Sequence, residues 1–174
     1  MSLKPSLRRN RVSFMVHDVL LDSTYLLPSF GIEVEGLSEK DIRALREAWS
    51  KGLVRFHCLS VVWVEVVGKV CREVRKSGVE ISEIVDTAIK SLLDSGAYEW
   101  LVPTADAVKL AFKLRLAGHK DVIDNLLYAT SITRNMTFLT MDEALKNFLA
   151  KHGFSIRNLI DHKHLLRRLG IRCR

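Results

Sequence analysis

Four stretches set carboxylates where they could hold a cation. Asp22 closes the apolar run in VLLDSTYLLP, and Glu65 interrupts LSVVWVEVVGKV. Asp121 and Asp124 open KDVIDNLLYATSITRN, and Asp142 follows the strand-like TFLT of TFLTMDEAL. An ionised carboxylate in apolar surroundings is strongly disfavoured unless it is paired, solvated or bound to a metal. Several held together repel one another and raise each other's pKa, and a divalent cation removes that penalty. Oxygen ligands without His or Cys suit Mg²⁺ or Mn²⁺ rather than zinc. Mg²⁺ keeps part of its water shell and pairs with phosphate oxygens, so the chemistry indicated is that of phosphodiesters. Each acid also has a plain explanation. Asp22 and Asp142 could be turn formers or helix caps. Asp121 and Asp124 suit the positive end of a helix. Glu65 could form an exposed i,i+4 ion pair with Lys69.

The elements that must position these acids can be read from periodicity. Residues 16–21 and 53–59 predict strands. Ser38 predicts a cap for a helix over 38–51, with Ile42, Leu45 and Trp49 at helical spacing and Gly52 ending it. Residues 60–76 are ambiguous, because Val and Trp favour strands. The stripe Glu65, Lys69, Arg72 and Lys76, spaced four, three and four apart, decides for a helix. Further helices are expected from Ser82 to about 95, and over 104–117, 121–134, 142–151 and 161–169. Strands are expected at 98–102, 136–140 and 155–160. Strands alternating with helices imply a parallel sheet covered on both faces, and parallel sheets collect ligands beyond the carboxyl ends of their strands. Asp22 and Asp142 should lie on that edge. The helix from Asp121 is apolar nearly all round and therefore buried, and its polar residues share one narrow stripe.

The chain has 174 residues and a net charge of +7, and 48% of its residues are hydrophobic. That is enough for one domain with its own core. Charge is unevenly spread. The first 17 residues carry +4 and residues 151–174 carry +6, leaving a body of −3. Two basic ends on a mildly acidic body suggest a polyanionic partner, although solubility alone would also account for them. Cys58, Cys71 and Cys173 are scattered and odd in number, with no CxxC pair, which argues against a disulfide framework or structural zinc and fits a reducing cytoplasm. No run reaches the length of a membrane span. The six histidines fall mostly in basic or terminal segments and read as solvated; no Ser/His/Asp grouping is evident.

In order, LLDSTYLLP, LSVVWVE, DNLLYATS and FLTMD resemble a PIN-domain ribonuclease of the VapC type over roughly residues 19–148. The resemblance implies an α/β, three-layer Rossmann-like fold with a short parallel sheet. It divides the chain into a basic N-terminal arm (1–17), a nuclease domain (18–160) and a basic C-terminal helix and tail (161–174). It also implies metal-dependent cleavage of RNA. The family's four acids fall on Asp22, Glu65, Asp124 and Asp142, with Ser23 and Thr140 as hydroxyls beside them and Asp121 as an additional or outer ligand. One or two Mg²⁺ or Mn²⁺ ions would activate water and screen developing charge. Ser23 and Thr140 would orient acids or water. Arg8, Arg9, Arg11, Lys109, Lys113, Arg157, Lys163, Arg167, Arg168 and Arg172 are candidates to grip the backbone of single-stranded or looped RNA. An antitoxin protein and a second copy of the chain are possible partners, and a membrane is not. Basic additions at both ends leave an RNA-processing enzyme open beside a toxin. Two other readings compete. One is a non-catalytic RNA-binding module whose acids are caps and surface pairs. The other is a phosphoacceptor receiver domain, which would want two adjacent acids after the first strand and a Lys after the fourth.

Overall fold

The structure is a computed structural model that describes residues 16–78 and 82–171. The expectations placed on Arg8, Arg9, Arg11, Arg172 and Cys173 lie outside those residues. Five strands, β1 (His17–Leu21), β2 (Val54–Leu59), β3 (Tyr98–Leu101), β4 (Thr137–Leu139) and β5 (Leu159–Ile160), form one sheet in the order β3-β2-β1-β4-β5. Every neighbouring pair is parallel. Among the described residues, seven α-helices flank it: α1 (Glu39–Ser50), α2 (Val62–Ser77), α3 (Ser82–Leu93), α4 (Ala105–Leu116), α5 (Val122–Thr133), α6 (Glu143–Lys151) and α7 (His162–Arg168). Two short 3₁₀ helices, Ser23–Tyr25 and Leu27–Phe30, follow β1. The chain runs outward from β1 to β3, then returns to the other side of β1 as β4. The strand order therefore reverses between β1 and β4, which is where a ligand crevice opens in such sheets.

Local chemistry explains most boundaries. Ser38 and Asp41 form a reciprocal capping box on α1: the Ser38 amide donates to Asp41 Oδ2 at 2.9 Å and the Asp41 amide to Ser38 Oγ at 3.3 Å. Gly78 closes α2 at φ 66°, a left-handed conformation that suits glycine. The ambiguous segment after Ser60 is helical because tertiary burial of Val62, Val66 and Val70 on one face outweighs β propensity. Val64 and Val67 on the other side stay exposed. On the outer flank, Trp63 of α2 stacks on Trp100 of β3 at 5.1 Å, and the Trp100 indole donates to the Leu92 carbonyl of α3. The core runs continuously through Val19, Leu20, Leu59, Leu127, Phe138 and Leu139 to Leu165 and Leu166 of α7.

Two histidines are not solvated as their surroundings in sequence suggest. His57 is 3% exposed and His162 is 1% exposed. His57 Nε2 lies 2.9 Å from Asp18 Oδ1, and its Nδ1 faces Glu99 at 3.5 Å. These acids come from the strands on either side, and together they make burial of the ring tolerable. His162, the first residue of α7, packs edge-on against Tyr25 and faces Asp41 of α1. Among the described residues, no helix is long and apolar enough to cross a membrane.

Candidate metal centre

The site grows from the carboxyl ends of β1 and β4. The Asp22 amide donates to the Leu139 carbonyl at 3.1 Å, which seals the two strand ends together. The Asp22 side chain is 6% exposed and heavily hydrogen-bonded. Its Oδ2 accepts from Thr140 Oγ1 at 2.8 Å, and its Oδ1 accepts from Ser23 Oγ at 3.3 Å and the Thr24 amide at 3.2 Å. Thr140 Oγ1 in turn accepts from the Asp142 amide at 3.1 Å. With its proton committed to Asp22 and a lone pair to Asp142, the Thr140 hydroxyl has one orientation and ties the two acids together. Ser23 and Thr140 are both fully buried.

The plain capping explanations hold at the same time. Asp22 caps the first 3₁₀ helix, Asp142 caps α6 through the Leu145 amide at 2.9 Å, and Asp121 caps α5 through the amides of Ile123 and Asp124. Capping fixes one oxygen of Asp142 and of Asp121 and leaves the second oxygen of each available for other partners. Asp121 is exposed, whereas Asp124, one turn on, is half-buried.

Asp124 reports how close the acids stand. Its carboxyl is pushed up to about 8, first by burial and then by the negative charges of Asp121, Asp22, Asp142 and Glu65. Five acids scattered over 121 residues of sequence thus share one field. Glu65, in the first turn of α2, is not the exposed pair that its spacing suggests. Its side chain is 18% exposed and stands 3.8 Å from Lys69 Nζ through Oε1, while Oε2 is buried without a hydrogen-bond partner. A buried carboxylate oxygen lacking a donor is costly, and a cation would satisfy it. Among the described residues, no three His, Cys, Asp or Glu side chains stand close enough together to hold a metal ion as they are placed. Carboxylates facing one another without a counter-ion move apart, and Mg²⁺ keeps several waters between itself and its ligands, so an open arrangement fits this donor set. Asp22, Glu65, Asp124 and Asp142 are the residues that would hold the ion, with Asp121 at the rim.

Sequence reasoning missed Lys69 as part of this site. Its ammonium donates to Ser23 Oγ at 2.9 Å, one hydrogen bond from Asp22. The contact joins residues 46 apart, and only the helical stripe shared with Glu65 hinted at it. The described basic residues among those predicted lie on separate elements. Lys109 and Lys113 lie exposed on α4, where Lys109 is paired with Asp106; Arg157 precedes β5; Lys163, Arg167 and Arg168 are exposed on α7.

Comparisons with known proteins agree with this architecture. A profile of the PIN domain matches residues 20–149. No curated protein sequence matches the chain. Solved structures share the fold at low identity. "Crystal structure of PAE2754 from Pyrobaculum aerophilum" is 16% identical with a TM-score of 0.58, covering 95% of this chain and 99% of that one. "Crystal structure of VapBC2 from Rickettsia felis bound to a DNA fragment from their promoter" is 16% identical with a TM-score of 0.54, covering 82% and 96%. "Toxin-antitoxin complex from Klebsiella pneumoniae" is 14% identical with a TM-score of 0.51, covering 83% and 97%.

Proposed function

The chain belongs to the PIN domain family, and on that premise we propose that it is a metal-dependent endoribonuclease. The observation that carries this reading is the convergence of Asp22, Glu65, Asp124 and Asp142 at the point where strand order reverses. There burial, and after it the neighbouring acids, push Asp124 up to about 8, and Glu65 Oε2 is buried without a donor. Mg²⁺ or Mn²⁺ held there would lower the pKa of water and offset charge developing on the phosphodiester.

The chain's own residues do the positioning. Thr140 and Ser23 hold Asp22 in one rotamer, so its carboxylate needs little reorganisation when a cation and substrate arrive. The Asp142 and Asp121 caps anchor their carboxylates to the starts of α6 and α5, rigid elements rather than mobile loops. Burial and the neighbouring acids raise the Asp124 pKa to about 8, and a cation held beside it would favour its charged form. Single-stranded or looped RNA is the substrate class, because a splayed strand exposes its phosphates to a half-buried cup. Lys109, Lys113, Arg157, Lys163, Arg167 and Arg168, with Arg8, Arg9 and Arg11 of the basic arm, supply general attraction to the backbone. A toxin role with an antitoxin partner is supported by the fold shared with toxin–antitoxin proteins, and the reducing cytoplasm is the compartment consistent with unpaired Cys58 and Cys71.

The test is cleavage of labelled single-stranded RNA by the full chain with Mn²⁺, with EDTA, and with Asp22→Asn or Asp142→Asn. Cleavage that needs Mn²⁺ and disappears in both variants supports the reading; cleavage that survives EDTA or both substitutions overturns the metal mechanism. Binding without cleavage under every divalent metal tried would point to a non-catalytic RNA-binding module.

A further inference from the structure

We propose that Lys69 and Arg72 of α2 form a phosphate-binding track that carries single-stranded RNA out of the acid cup, along a groove beside that helix. The inference rests on the ribonuclease reading and adds a substrate path to it. Three observations carry it.

The first is the position of the Lys69 ammonium. It sits between the cup and solvent, hydrogen-bonded to buried Ser23 and 3.8 Å from Glu65 Oε1. That separation is long for a charge-assisted hydrogen bond, which closes to about 2.8 Å. An ammonium has three donors, and the one bond to Ser23 leaves two to offer. The side chain is 37% exposed, so those donors reach solvent at the lip of the site.

The second is the groove. A cavity of about 650 Å³ opens alongside Lys69 and continues past Arg72. Its far wall carries Ile32 and Val34 from the loop after the second 3₁₀ helix. The α2 side brings Lys69 and Arg72 beside Glu73 and Val74, and the loop side brings Ile32 and Val34 around Glu33. Cations and apolar surface thus face each other as a nucleotide strand, with phosphates along one edge and bases along the other, would need.

The third is charge balance. The groove also holds Glu33 and Glu73; Glu73 is paired with Lys76 at 2.7 Å, and exposed Glu33 remains as one acid against the two cations Lys69 and Arg72. Arg72 is exposed, and no ion pair holds it among the described residues. The helical stripe Glu65, Lys69, Arg72 therefore changes sign along its length. It starts with a carboxylate facing the cup and continues with two cations that have donors to spare. Lys109 and Asp106 on α4, by contrast, are an exposed pair that largely cancels.

The experiment measures binding of a fluorescent mixed-sequence 20-nucleotide RNA to the full chain in EDTA, between 50 and 300 mM KCl, for the unaltered chain, Lys69→Gln, Lys69→Arg and Arg72→Gln. Each lost phosphate contact should lower the slope of log affinity against log salt by about 0.7. Lys69→Gln and Arg72→Gln should each show that loss, and Lys69→Arg should restore it. Arg72 is exposed and outside the cup, so its variant carries the test should Lys69→Gln disturb folding. Unchanged slopes in both Gln variants overturn the track, including the case in which the groove instead receives a protein partner. If the unaltered chain cuts RNA while the slopes stay unchanged, only this inference falls. If the unaltered chain neither binds nor cuts RNA, the ribonuclease reading falls and takes the track with it.

Discussion

Two buried polar clusters, both reached from the chain just after β1, settle their charges in different ways. Around α7, Asp41 accepts from the Ser38 amide and hydroxyl and faces His162 Nε2 at 3.5 Å, while His162 Nδ1 meets the Tyr25 hydroxyl at 3.2 Å. One carboxylate there has several donors around it. At the β1/β4 edge, five carboxylates share the donors of Ser23, Thr24, Thr140, a few helix amides and Lys69. The first cluster surrounds its carboxylate with donors of the chain, leaves only His162 Nε2 without a hydrogen bond, 3.5 Å from Asp41, and ties α7 to α1 and Tyr25. The second carries an excess of negative charge, which the raised pKa of Asp124 relieves in part and a cation would offset further. The difference is between a carboxylate matched by donors and a set of carboxylates that outnumber theirs, and the proposed ribonuclease reading rests on the second.

Substitutions can break that contrast, beginning with the largest expected effect. Asp22→Asn or Asp142→Asn should lower RNA cleavage by at least about 100-fold, since losing a ligand costs no less than losing its support. Asp41→Asn should leave cleavage within about threefold and instead lower the melting temperature. Rates and thermal unfolding on the same preparations separate the two. Next comes Thr140→Val. It keeps the volume but removes the hydroxyl that ties Asp22 to Asp142, and should cost about 10- to 100-fold in activity. If Thr140→Val is as active as the unaltered chain, Asp22 is not oriented from β4.

The clusters should also answer pH with opposite signs. Asp124 has its pKa raised on folding, so the folded metal-free chain binds more protons than the unfolded one between about pH 4 and 8. Its contribution to stability is present at low pH and lost as pH rises through that window. Burial instead lowers the pKa of His162, against the pull of Asp41 and Asp161, with Lys163 adding to the lowering. That contribution is present above the ordinary His value of about 6.5 and lost as pH falls below it. Melting temperatures in EDTA from pH 5 to 8 for Asp124→Asn and His162→Gln should show each slope removed by its own variant. The smallest effect is Tyr25→Phe, which deletes one hydrogen bond to His162 and should cost about 1–2 kcal/mol in denaturant unfolding with no loss of cleavage.

Much of the domain was legible in the sequence because its signals are local. Asp after an apolar strand, Thr-x-Asp after another, and capping residues at Ser38 and Asp142 each act within a few residues, and the described strands and helices appear near where the sequence places them, except that the last strand shrinks from 155–160 to Leu159–Ile160. What was not legible depends on distant partners. The 3₁₀ turns after Asp22 are set by packing of Tyr25, Leu27 and Phe30 into the core rather than by any repeat. His57 reads as solvated until Asp18 and Glu99 arrive on the neighbouring strands. Glu65 and Lys69 look like an ordinary surface pair along α2. Only when α2 packs beside the first 3₁₀ helix does Lys69 reach Ser23 and Glu65 lose solvent on one oxygen.

The central claim is that acids far apart in the chain close around one hard cation. Crystals of the full chain soaked in Mn²⁺ and measured for anomalous scattering test it most directly. The account predicts a peak bridged by the carboxylates of Asp22 and at least one of Asp124, Asp142 and Glu65, absent from crystals of Asp142→Asn. Saturating Mn²⁺ that leaves this cup empty, or that binds only elsewhere, would contradict it.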